Sequence, residues 1–200
     1  RKIAASSYKP DRNRLRGEFD KEKQKALGKE IAKKLGYDFE AGRIDEAAHP
    51  FATGFNPEDV RITTRFSKNE LFESSLLSTI HEVGHALYEQ GLGKEFFGTP
   101  LGEALSLGIH ESQSRLWENL VGKSLPFWKF WYPKLQDVFP EPFAALPLHK
   151  FYQSLNCVKP SLIRVEADEV TYNLHIILRF EIEKEIIEGS LHPRDLPEAW

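Results

Sequence analysis

The sequence lacks methionine altogether and has a single cysteine, Cys157, among its 200 residues. One cysteine cannot form a disulfide bond within the chain, so any metal site must use histidine and carboxylate ligands rather than several thiolates. The lone cysteine and the absence of a secretory signal pattern favour a cytoplasmic protein. Because residue 1 is not methionine, we expect the chain to be a piece of a longer protein.

Long apolar runs and an excess of charge of one sign are also absent. No apolar run approaches the roughly 20 residues that a membrane span requires. The net charge of −3 gives no reason to expect a nucleic acid or an anionic membrane as a partner. A content of 40% hydrophobic and 28% charged residues is typical of globular proteins. We therefore expect a single core region over residues 1–200.

Apolar residues recur mostly at helical spacing, which predicts a mainly α protein. An alternating stretch rich in β-branched residues at 60–66 and a second candidate at 48–55 predict a small β-sheet. The predicted helices cover 17–35, 69–91, 101–122, 126–139, 147–155 and 162–188. The small sheet thus precedes the helix at 69–91.

That helix carries the most informative motif, His81-Glu82-Val83-Gly84-His85. Two histidines four residues apart lie on one helical face, so both can bind one zinc ion. The glutamate between them can then act as a general base toward the attacking water. The alternative is that both histidines are ordinary surface or core residues and that Glu82 is a solvated carboxylate.

A catalytic zinc site needs a third protein ligand, and Glu111 in the next predicted helix meets this need. A short connection makes the two helices antiparallel neighbours. The alternative for Glu111 is a simple ion pair with Arg115 at i+4. Glu103 and Glu118 share roughly the face of Glu111 and are candidates to hydrogen-bond a ligand histidine.

Five short motifs then occur in an order that resembles a known family. They are His49-Pro50-Phe51, Asp59-Val60-Arg61-Ile62-Thr63, His81-Glu82-x-x-His85, His110-Glu111-Ser112 and Ile163-Arg164-x-x-Ala167-Asp168. Together they resemble the signature set of the carboxypeptidase Taq family of metallocarboxypeptidases.

The resemblance implies a helical gluzincin fold, a homodimer and a zinc or cobalt ion. It also implies that His81, His85 and Glu111 are the metal ligands and that Glu82 is the general base. Members of this family are much longer and carry a further motif, Gly-x-x-Gln-Asp-x-His-Trp, which does not occur here. We therefore expect a metallopeptidase core truncated at both ends, without an N-terminal helical part and a C-terminal part.

The expected function is hydrolysis of C-terminal peptide bonds by metal-activated water. An exopeptidase of this kind binds the free carboxylate of its peptide substrate, and an arginine fork suits that group. Arg164 is the first candidate and Arg61 the second; pairing with Asp168 and Asp59, respectively, is the alternative for each. There are two alternatives. The chain could belong to a related helical oligopeptidase or endopeptidase, or it could be a fragment that binds metal without turnover.

Overall fold

The computed structural model describes residues 2–3, 5–164 and 167–200. The chain forms two compact units, Pro10–Leu155 and a smaller one that combines Arg1–Lys9 with Asn156–Trp200. The prediction of a mainly helical fold with a small sheet before the motif helix is confirmed. In the described residues, we find no helix with the length and apolarity that crossing a membrane requires.

Helices make up most of the described chain. The α-helices are α1 Lys21–Leu35, α2 Leu77–Gln90, α3 Leu107–Arg115, α4 Leu125–Val138, α5 Pro140–Phe143, α6 Leu148–Leu155, α7 Tyr172–Ile187 and α8 Leu196–Ala199. The first six lie in the larger unit, and the last two lie in the smaller one. The other helical residues form short 3-10 and π-helical segments, among them Phe72–Leu76 before α2 and Leu116–Val121 after α3.

The three-stranded sheet consists of β1 Gly42–Glu46, β2 Phe51–Asn56 and β3 Asp59–Thr64, in the order β1-β3-β2. Strand β3 is central, parallel to β1 and antiparallel to β2. Val60 and Ile62 of β3 are fully buried. Strand β1 was not predicted, because its sequence contains one apolar residue among five and so shows no alternation.

Helices α1, α2, α3 and α7 begin later than their apolar pattern predicts, at residues 21, 77, 107 and 172. Ahead of three of them, a side chain accepts hydrogen bonds from the backbone of the turn that leads into the helix. Asp20 accepts a hydrogen bond from the backbone of Lys23, which starts α1 after residue 20. Ser106 accepts one from Ile109, so α3 starts at residue 107 rather than 101. Asp168 accepts hydrogen bonds from the turn that leads into α7, so that helix does not begin at residue 162.

Helix α2 lies at the centre of the larger unit. Its buried residues Leu77 and Ile80 join a core shared with α1 and α4, whereas Val83 and Ala86 share a second cluster with β3. These positions recur every three residues, so the buried surface turns around the helix from the first cluster toward the second. A different face of α2, carrying the two motif histidines, is left for α3.

Gly84 of the motif is where α2 and α3 meet. A Cβ atom added to Gly84 would lie 2.6 Å from the Cα atom of Ser114 and 2.9 Å from the carbonyl oxygen of Gln113. Both are backbone atoms, so no side-chain rotation can relieve the clash. Ser114 is itself fully buried. Gly84 therefore permits the short separation that brings α3 onto the histidine face of α2.

We predict that Gly84→Ala destabilises the larger unit by about 1–3 kcal/mol, the usual cost of forcing extra volume into a packed contact. Gly28→Ala is the matched control, because it also lies in a helix and faces α2. Its added Cβ would meet only Thr79, at 3.7 Å, which is an ordinary contact. That variant should be unchanged or more stable, by up to about 1 kcal/mol. Urea denaturation measures both, and equal stability of the two variants would contradict the prediction.

Candidate metal centre

The structure brings His81, His85 and Glu111 together. The two histidines rise from one face of α2, with ring centroids 4.9 Å apart. Glu111 reaches across from α3, and its Oε2 atom lies 3.5 Å from Nε2 of His81 and 3.3 Å from Nε2 of His85. The three potential ligand atoms all lie within 4.8 Å of one another.

The chemistry and spacing of these three groups fit a divalent metal. Ligand atoms that lie about 2.0–2.2 Å from a tetrahedral zinc ion are roughly 3.3–3.5 Å apart. The two distances from the Glu111 oxygen match this spacing. The Glu111 side chain is 46% exposed, so the cluster is open on one side, whereas the histidines are mostly buried. Three converging ligands with an open side are the arrangement typical of catalytic rather than structural sites.

Two further side chains, Glu118 and Arg115, contact the candidate ligands. The Nδ1 atom of His81 lies 2.7 Å from Oε2 of Glu118, a distance at which the ring N–H donates to the carboxylate. Arg115 donates from Nε to Oε1 of Glu111 and from Nη1 to Oε2 of Glu118, at 3.0 Å each. The predicted pair of Glu111 and Arg115 therefore exists alongside the metal cluster. Arg115 holds one oxygen of Glu111, which leaves Oε2 directed at the histidines.

The carboxylates of Glu111 and Glu118 favour a positive charge on the ring of His81. Burial alone would lower the pKa of His81, but its hydrogen bonds to Glu111 and Glu118 outweigh burial and raise that pKa to about 9. Burial would raise the pKa of Glu111, yet the hydrogen bonds with His81 and His85 hold it well below its usual range. Burial would also raise the pKa of Glu118, but its hydrogen bond with His81 and the charge of Arg115 lower it.

Glu82 differs from the other carboxylates of the site. It is 7% exposed, and among the described residues we find no hydrogen-bond partner for its carboxylate. Burial raises the pKa of Glu82 to about 7; the charge of His81 opposes this shift, and the carboxylates of Glu111 and Glu118 add to it. A carboxylate with a pKa near neutrality can both accept and donate a proton at physiological pH.

Two residues for which the sequence predicted no contact with a candidate ligand complete the cluster. Nδ1 of His110 lies 2.5 Å from Nδ1 of His85, and Nε2 of His110 lies 2.7 Å from Oε1 of Glu89. His110 belongs to the His110-Glu111-Ser112 motif, which does not by itself indicate these contacts. Glu89 follows His85 at i+4, so helical spacing alone could have identified it. Of the two predicted carboxylate partners, Glu118 contacts a ligand histidine, whereas Glu103 is exposed before α3.

The two arginines proposed to bind substrate have partners of their own. Arg61 donates from Nε and Nη2 to the two oxygens of Asp59, at 2.7 Å each, on the exposed side of β3. In the smaller unit, Arg164 donates to the hydroxyl of Tyr172, and its guanidinium lies 5.5 Å from the centre of that ring. Asp168 accepts hydrogen bonds from Thr171 and from the backbone of Lys159.

Known proteins resemble the whole chain. The sequence pattern of the carboxypeptidase Taq (M32) metallopeptidase family matches residues 1–200. "Thermostable carboxypeptidase 1" of Thermus thermophilus is 52% identical over 199 residues, which are 100% of this chain and 39% of that protein. "Carboxypeptidase 1" of Bacillus subtilis is 47% identical over 200 residues, 100% of this chain and 40% of that protein.

A solved structure gives the same result for the fold. The M32 carboxypeptidase from Deinococcus radiodurans R1 superposes with a TM-score of 0.94 at 48% identity, over 100% of this chain and 40% of that one. The chain therefore spans about 40% of the length of the relatives that it matches.

We predict that metal binding to this cluster releases a proton from His81. Because the pKa of His81 is raised to about 9, its ring is protonated at pH 7 and must lose that proton before Nε2 can bind a cation. The apparent affinity for Zn²⁺ should therefore rise with pH and level off above about pH 9. Calorimetry in buffers of different ionisation enthalpy should show about one proton from His81 per ion at pH 7.

Glu118→Gln provides the control for this measurement. It removes one of the two carboxylates that raise the pKa of His81, so less proton release is expected near pH 8. Binding without proton release at pH 7, in a chain whose histidines are intact, would contradict the prediction.

Proposed function

The chain belongs to the carboxypeptidase Taq (M32) metallopeptidase family, and we propose that it supplies the metal centre and the general base of a metal-dependent carboxypeptidase. The observation that carries this proposal is the convergence of His81, His85 and Glu111 on one point, with the buried Glu82 on the same helix turn. The relatives named as carboxypeptidases support hydrolysis at the C-terminus.

His81 and His85 would hold the ion through Nε2, and Glu111 would hold it through Oε2. Zinc is the ion we propose, with cobalt as the alternative, because nitrogen and oxygen ligands suit both. When bound, such an ion supplies Lewis-acid polarisation of the scissile carbonyl and a lower pKa for the attacking water. Arg115 keeps the second oxygen of Glu111 occupied, which favours binding of the metal through one oxygen.

Glu82 would act as the general base. It takes a proton from the attacking water and later delivers that proton to the nitrogen of the leaving amine. Its carboxylate suits both steps, because burial brings its pKa to about 7. The absence of a hydrogen-bond partner among the described residues leaves the carboxylate able to reach the water.

The proposed substrates are peptides with a free C-terminal carboxylate. Arg164 and Arg61 remain our candidates to bind that carboxylate, because an arginine fork binds a carboxylate through two parallel hydrogen bonds. Arg61 already holds Asp59 in this geometry, so the substrate would have to replace Asp59. We also propose, from the family resemblance, that the full-length protein is a homodimer.

Glu82→Gln tests the assignment of the base. The amide has nearly the same shape but cannot accept the proton, so hydrolysis of a blocked dipeptide should fall by about 100- to 10,000-fold. Metal content, measured by plasma mass spectrometry, should stay near one ion per chain. Glu95→Gln, an exposed glutamate beyond α2, is the matched control and should keep full activity. Activity that survives Glu82→Gln would show that another group is the base.

A pair of peptides distinguishes a carboxypeptidase from an oligopeptidase or endopeptidase. The two peptides have the same sequence, and one ends in a carboxylate while the other ends in an amide. A carboxypeptidase should lose nearly all activity on the amide, because the arginine that binds the terminal carboxylate then has no charged partner. Mass spectrometry of the products identifies the bond cut. Equal cleavage of both peptides at an internal bond would favour the endopeptidase.

Metal content measured beside activity addresses the third alternative, a fragment that binds metal without turnover. The chain and a full-length member of the family are assayed together on the blocked dipeptide. Metal in both with turnover only in the longer protein would favour that alternative. A chain that holds no stoichiometric zinc or cobalt would overturn the ligand assignment.

A further inference from the structure

The two histidines of the motif are oriented by different kinds of partner. His81 contacts the carboxylate of Glu118 directly, at 2.7 Å. His85 contacts a second histidine, His110, with 2.5 Å between the two Nδ1 atoms. His110 in turn contacts the carboxylate of Glu89, with 2.7 Å from Nε2 to Oε1. The Glu89–His110 pair therefore occupies, next to His85, the place that a single carboxylate occupies next to His81.

Hydrogen-bond chemistry dictates where the protons lie in the series of contacts from Glu89 through His110 to His85. A carboxylate only accepts, so Nε2 of His110 donates to Glu89. In a neutral His110 ring the Nδ1 atom then carries a lone pair, and it accepts the Nδ1 proton of His85. When the ring of His85 is neutral, its Nε2 atom then keeps the lone pair with which it can bind a metal. This is the same atom that lies 3.3 Å from Oε2 of Glu111.

Neighbouring residues hold the Glu89–His110 pair in place. The ring of Tyr88 packs edge-on against His110, with 5.1 Å between the ring centres. A Cβ atom on Gly54 of β2 would lie 2.8 Å from Oε2 of Glu89, so the glycine leaves room for that carboxylate. The side chains of Glu89 and His110 are only about one-fifth exposed. Elements β2, α2 and α3 thus converge on the pair.

We propose that Glu89 and His110 are positioning residues that hold His85 in the tautomer and orientation in which Nε2 binds the metal. This inference rests on the metal site proposed above and deepens it. Within the described residues, neither Glu89 nor His110 has a side-chain hydrogen bond to His81 or Glu111, the other two proposed ligands. Its effect should therefore appear as the affinity of the site for metal, transmitted through His85.

His110→Phe is the first test, because phenylalanine keeps a ring in place and removes both hydrogen bonds. The dissociation constants for Zn²⁺ and Co²⁺, measured by competition with a chromophoric chelator, should rise by about 10–100-fold. The visible spectrum of the Co²⁺ form should change as well, because the orientation of one ligand ring is lost. His149→Phe is the matched control: His149 is exposed on α6 and should leave both readouts unchanged.

Glu89→Gln is the second test, and it is nearly isosteric. The amide oxygen can still accept from His110, but without the charge, so the loss of affinity should be in the same direction and smaller. The double variant should bind metal no more weakly than His110→Phe alone, because the two residues act in series on His85. Glu95→Gln, an exposed glutamate, is the matched control.

Thermal melting of the metal-free variants, followed by circular dichroism, separates lost positioning from lost folding. If His110→Phe does not fold, the nearly isosteric Glu89→Gln carries the test. Unchanged affinity and an unchanged Co²⁺ spectrum in a folded variant would overturn the inference. Losses that add fully in the double variant would also overturn it, because they would show two independent effects.

The failure of this inference can be told apart from the failure of the proposed function. If the unmodified chain binds neither Zn²⁺ nor Co²⁺, the metal site itself is wrong. If the unmodified chain binds metal and His85→Ala does not, while His110→Phe and Glu89→Gln bind as tightly as the unmodified chain, only the role of the Glu89–His110 pair is wrong.

Discussion

Helices α2 and α3 approach so closely at Gly84 and Ser114 that a methyl group does not fit between them. The position of Glu111 depends on this contact, because α3 carries the carboxylate toward two histidines that α2 already holds on one face. A wider separation would leave the two histidines without the carboxylate that we propose as the third ligand. The glycine inside the motif is thus as much a requirement of the site as the histidines that flank it.

Electrostatics of the cluster follow from that packing. Glu111 and Glu118 lie beside His81, and their carboxylates stabilise a positive charge that burial alone would disfavour. Arg115 balances part of the negative charge and fixes both carboxylates at once. Glu82 is buried away from such partners, so its pKa moves in the opposite direction. Glutamates within two neighbouring helices thus acquire opposite acid–base behaviour from their surroundings alone.

Much of the fold and the site followed from local patterns in the sequence. The spacing of His81 and His85 needs only helical geometry, and Glu111 in the next predicted helix was the natural candidate for the third ligand. Helix starts were less predictable, because the apolar periodicity extends upstream of the capping residue at which a helix begins. Ser106 at the start of α3 is an example. Strand β1 carries no alternating pattern of its own. Its strand conformation depends instead on backbone pairing with β3, which its own sequence does not indicate.

The sequence by itself determined the residue types of the proposed metal cluster, the helix that presents two of them and the family to which the chain belongs. Tertiary structure alone decided that Gly84 faces Ser114, that Arg115 holds one oxygen of Glu111, and that Glu89 reaches His85 through His110. The physical reason is the range of the interactions. Periodicity reports only which residues share a helix face, whereas the orientation of a ligand depends on side chains from other elements that no spacing along one helix reveals.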